Sequence, residues 1–87
     1  MNNKPFVRDL ALDLNRLGRV MNGQELADRL NSNNRTTTYG TKYEGARGTY
    51  TLIHATYEWL FHEGFGAEAD IVADVFLNQN GEHAWDK

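Results

Sequence analysis

The residues best suited to chemistry fall in one segment, "RTTTYGTKYEGARGTY", residues 35–50. Arg35, Lys42 and Arg47 set three cations against a single acid, Glu44, and Thr36, Thr37 and Thr38 add hydroxyl groups. Cations interleaved with hydroxyls suit phosphate oxygens, which accept hydrogen bonds from Arg, Lys and Thr alike. Nucleotide hydrolysis demands more. A phosphate-binding loop needs Gly-x4-Gly followed at once by Lys and Ser or Thr, whereas Gly40 to Gly45 is followed by Ala46 and Arg47. What remains is Gly45-Ala-Arg-Gly48 at the start of a predicted helix, where free N–H groups and the helix dipole favour an anion. The same glycines would serve a plain turn at positive φ, with the tyrosines packed back on the core.

Other chemistries find less material. His54, Glu58 and His62 recur every fourth residue, but the two histidines stand roughly 12 Å apart along a helix, too far to share one small ion. They read as a solvated stripe with helical His–Glu pairing, and no metal is expected. Ser32 is the sole serine and has no histidine near it in sequence. The acid pairs Glu25/Asp28 and Asp70/Asp74 lie on predicted exposed helix faces, whereas catalytic carboxylates must converge across a cleft. The absence of cysteine excludes disulfides, thiolate metal sites and a thiol nucleophile. Neither an enzyme nor a cofactor is expected.

These residues need elements to hold them. Eighty-seven residues, 40% hydrophobic and 24% charged, are enough for one globular domain over 1–87 and one core. No run approaches the roughly 18 apolar residues of a membrane span, and Arg8 and Asp9 interrupt any export segment, so a cytoplasmic location without membrane contact is expected. Charge is uneven along the chain. Residues 1–50 carry eight Lys/Arg against five Asp/Glu, and residues 51–87 carry Lys87 alone against seven acids. One surface is thereby suited to an anion and another is hostile to it.

Periodicity predicts a mainly α fold, a compact bundle of about four short helices at 5–17, 23–31, 46–63 and 67–77, with a long loop at 32–45. In the first, Phe6, Leu10, Leu14 and Leu17 form the inner face with Val7 and Ala11 on its flank, Pro5 starts the helix and Gly18 stops it. Asn22 and Glu25 form a capping box for the second, in which Leu26, Ala27 and Leu30 face inward. The third is apolar around most of its circumference and must be central. Its one polar stripe is Arg47, Thr51, His54, Glu58 and His62. The last segment reads two ways. Ile71, Val72, Val75 and Phe76 fit one helix face, while alternating Ile71, Ala73, Val75 and Leu77 would make 71–85 a β-hairpin turning at Asn80-Gly81.

"LGRVMNGQELADRLN", residues 17–31, resembles winged-helix and other helix-turn-helix domains. There a first helix ends, a short extended bridge follows, and a capped helix begins. The resemblance implies that the next helix meets DNA with its N-terminal residues. Arg47 and Thr51 would then lie nearest the groove with His54 behind them, with Arg35, Thr36 to Thr38 and Lys42 on phosphates, and a regulator of this size would pair as a homodimer to read two half-sites. The link at 32–45 is longer than that family's turn of roughly three or four residues. The competing expectation is a protein-interaction or inhibitor module, of the kind mobile elements such as phages carry. It would act through Tyr39, Tyr43 and Tyr50, or through the acidic C-terminal face.

Overall fold

The computed structural model describes residues 2–78 and 80–83. Helix α1 spans Lys4–Leu17, strand β1 Met21–Asn22, α2 Gly23–Ser32, α3 Ala46–His62, α4 Gly66–Val75 and strand β2 Phe76–Leu77. The expected mainly helical architecture is therefore present, with a two-residue strand pair added to it. No helix among the described residues is long and apolar enough to cross a membrane.

Local signals account for most boundaries. Pro5 sits in the first turn of α1. Gly18 ends that helix at φ 68°, and the Gly18 N–H to Asn15 C=O and Arg19 N–H to Leu14 C=O bonds close the last turn. The same pair of bonds recurs around Gly64 at the end of α3, from Gly64 to Phe61 and from Phe65 to Leu60. The Asn22–Glu25 capping box forms, with Glu25 N–H donating to Asn22 Oδ1 at 2.8 Å and Asn22 N–H donating to Glu25 Oε1 at 3.2 Å.

α3 is central and packs against α1, α2 and α4. One hydrophobic cluster draws on all four helices, with Val7, Leu26, Leu30, Ile53, Leu60, Val72 and Phe76 fully buried. The buried stripe of α1 is rotated from the expected one. Val7, Ala11 and Leu14 face the core, Phe6 and Leu10 lie at its edge, and Leu17 is 59% exposed. Small Ala11 and Val7 allow neighbouring helices to approach closely, which leaves the longer side chains to cover the rim.

The C-terminal ambiguity resolves as a helix that stops early. α4 ends at Val75 rather than 77, because Phe76 turns extended (φ −102°, ψ 111°) and buries its ring completely. Phe76 and Leu77 pair in parallel with Met21 and Asn22. Asn80-Gly81 does form a tight turn, with Asn78 N–H donating to Glu82 C=O at 2.7 Å and a single antiparallel bridge between Leu77 and His83. A hairpin in place of α4 is excluded, and residues 79, 84 and 85 of that reading lie outside the described ones.

Candidate functional site

Two asparagines give the 32–45 loop its shape. Asn31, in the last turn of α2, clamps the Tyr43 backbone from both sides: its Nδ2 donates to Tyr43 C=O at 2.8 Å and its Oδ1 accepts from Tyr43 N–H at 2.9 Å. Asn3 is 4% exposed, and its Nδ2 donates to Thr36 C=O at 2.8 Å and to Tyr43 Oη at 2.7 Å. Between these anchors the chain turns back on itself at 37–41. Thr37 N–H donates to Thr41 C=O at 2.8 Å, the two threonine hydroxyls meet at 2.8 Å, and Thr37 Oγ1 also accepts from the N–H groups of Tyr39 and Thr41.

This framework sorts the expected site residues. Tyr43, expected as a contact residue, is instead buried against the core and held by both asparagines. Tyr50 is also structural. Its hydroxyl accepts from Gly23 N–H at 3.2 Å and donates to Leu77 C=O at 2.9 Å, joining α2, α3 and β2. Tyr39 is different: at the tip of the turn it is 92% exposed.

The three cations do not act as one group. Arg35 lies against α1, with its guanidinium 4.8 Å from the Phe6 ring centroid and Nη1 3.5 Å from Asn3 Oδ1. There it lines a groove shared with Asp9, Asp13 and Arg29, where opposite charges balance. Thr36 is half-buried and gives its carbonyl to Asn3. Lys42 and Arg47 are exposed, and neither joins an ion pair among the described residues. Arg47, Thr51 and His54 are all exposed along one face of α3, at the i, i+4, i+7 spacing that aligns side chains.

The same face continues into a paired acid. Glu58 lies between the two histidines, 3.5 Å from His54 Nε2 and 3.3 Å from His62 Nε2. Among the described residues, no three His, Asp or Glu converge as a metal ion would require.

A second feature was not legible beforehand. Thr37, Thr38, Tyr39 and Thr41 of the turn stand over Gly48, Thr51, Leu52 and Ala55 of α3 and enclose a groove of about 450 Å³. Lys4, at the start of α1, is the one charged residue lining it among the described residues. No local pattern links Lys4 to residues 37–55. Only the packing of α1 against α3 brings them together. Asn31 offered a hint, since an asparagine in a helix's last turn often bonds to nearby backbone.

Comparison with known proteins returns nothing to set beside this geometry: no family model, no curated protein and no solved structure matches the chain.

Proposed function

We propose that this protein is a non-catalytic, cytoplasmic nucleic-acid-binding regulator with the helix order of helix-turn-helix domains. It meets the phosphate backbone through Lys42 and the α3 stripe. One observation carries the reading. Arg47, Thr51 and His54 stand exposed in line on the central helix beside a loop braced by Asn3 and Asn31, and Arg47 and Lys42 have no carboxylate partner among the described residues. Unpaired cations on a braced surface release counterions when they meet phosphates, at little ordering cost. Arg35 is left out of the interface because Phe6 and Asn3 hold it on the α1 side.

The test is a salt series with labelled duplex DNA and a labelled single strand. Wild type should lose affinity steeply with salt on whichever it binds. Lys42→Ala/Arg47→Ala should flatten the log–log slope by about 1.8 on duplex or about 1.4 on a single strand, for two phosphates lost. Arg35→Ala should leave the slope unchanged. No binding of either nucleic acid at low salt would end this reading.

A protein-binding alternative has its own observation. Phe61 and Phe65 are 57% and 52% exposed at the α3–α4 corner, with the exposed acid Glu63 between them in the chain. Aromatic side chains rimmed by charge are what a protein interface uses, and a basic partner would suit this corner.

A further inference from the structure

We infer that the groove beneath Tyr39 takes one unpaired nucleotide of a single strand, its base stacked on the Tyr39 ring and its phosphate drawn to Lys4. The inference rests on the nucleic-acid reading above and names the form of nucleic acid. Tyr39 is a large ring at 92% exposure, so it contributes almost nothing to the core. Its backbone is nevertheless fixed by the Thr37–Thr41 turn, closed by backbone bonds and by the two threonine hydroxyls. A flat ring on a rigid mount loses little entropy when a second flat ring stacks on it.

The groove supplies the rest. At about 450 Å³ it falls within the range of about 300–1,000 Å³ usual for small ligands. Gly48, Leu52 and Ala55 line it without polar side-chain groups, which suits a base face. No acid lines it, and Lys4 has no ion-pair partner among the described residues, so the charge it awaits is an anion. Thr51 belongs both to this groove and to the exposed stripe with Arg47. A backbone following the stripe therefore passes the groove's edge. Bases stacked inside a duplex cannot turn into such a groove without first unpairing, whereas those of a single strand are free to do so.

Fluorescence anisotropy with a labelled oligothymidylate of about 12 nucleotides, and a duplex of the same length, separates the outcomes. Tyr39→Ala should weaken single-strand binding about 5- to 150-fold, the range of one lost base stack, with the salt slope intact. Tyr39→Phe should bind like wild type, because the ring is retained. Lys4→Ala should reduce the single-strand salt slope by about 0.7, one phosphate's worth. Circular dichroism melts close to wild type are expected for all three, since Tyr39 is exposed and half-buried Lys4 has no ion-pair partner among the described residues. If single strand binds but Tyr39→Ala binds it equally well, the stacking inference fails and backbone binding stands. If neither nucleic acid binds, both fail, and Tyr39 is left to a protein partner.

Discussion

A tyrosine's fate in this chain depends on which neighbour claims its polar atoms. Tyr43 is drawn inward because Asn31 takes both of its backbone polar groups and Asn3 meets its hydroxyl. Tyr39, four residues earlier, has its N–H engaged by Thr37 Oγ1, and its ring stays in water. Asn31→Ala should therefore do more than shorten a side chain. It leaves the half-buried Tyr43 N–H and C=O without partners, at a cost of about 1–3 kcal/mol. Urea denaturation should give a lower midpoint at unchanged slope, and the Tyr43 amide should exchange with solvent faster while amides in the middle of α3 keep their protection. Equal exchange at Tyr43 in both proteins would mean that the clamp is dispensable. The fates of Tyr43, Tyr50 and Arg35 were not readable from the 35–50 segment by itself, because the groups that orient them come from residues 3, 6, 23, 31 and 77. Side-chain type and spacing foretold cations and rings, but not which of them would be claimed.

At the scale of elements, the junction of α2 with α3 depends on a missing side chain. A Cβ on Gly23 would stand 2.7 Å from Thr49 Oγ1 and 2.9 Å from the Tyr50 ring. The close approach is what lets the Thr49 hydroxyl be shared between the carbonyls of Gly23 (2.8 Å) and Ala46 (2.6 Å), and lets Tyr50 Oη reach Gly23 N–H. Thr49 is fully buried, so these bonds have no water to replace them. Gly23→Ala, normally favourable inside a helix, should here destabilise by about 1–3 kcal/mol and lower Tm by about 5–15 °C in a thermal melt. A Tm equal to or above wild type would refute the packing argument. The elements themselves were largely legible. Asn22 with Glu25, and Gly18 and Gly64 after their helices, are short-range devices that work within a turn or two. The end of α4 was not, because what draws Phe76 out of the helix is pairing with Met21, far away in sequence. The buried stripe of α1 was misjudged for a related reason. Periodicity locates an apolar face, but the neighbours decide which edge of it is covered.

For the whole molecule, the radius of gyration of 11.8 Å matches the roughly 12 Å expected of a compact domain this long, so little interior is spare. A chain of this size holds a total stability of about 4–13 kcal/mol. Phe76 is the largest fully buried side chain among the described residues, and it sits where the β2 strand closes onto β1 and the helices. Phe76→Ala should cost about 3–5 kcal/mol, a large share of that total. Because Tyr50 Oη ties Leu77 to Gly23, the loosened strand would also release the start of α2. The effect should reach the candidate site only through global unfolding. α3 keeps its other contacts with α1 and α2, and the 37–41 turn is closed by its own hydrogen bonds. Measured well below its lowered Tm, Phe76→Ala should bind nucleic acid with wild-type affinity, while Tyr39→Ala should bind a single strand more weakly at unchanged Tm. A Phe76→Ala protein that stays folded by circular dichroism yet no longer binds would show instead that the C-terminal strand shapes the binding surface, and the separation of core from site argued here would fail.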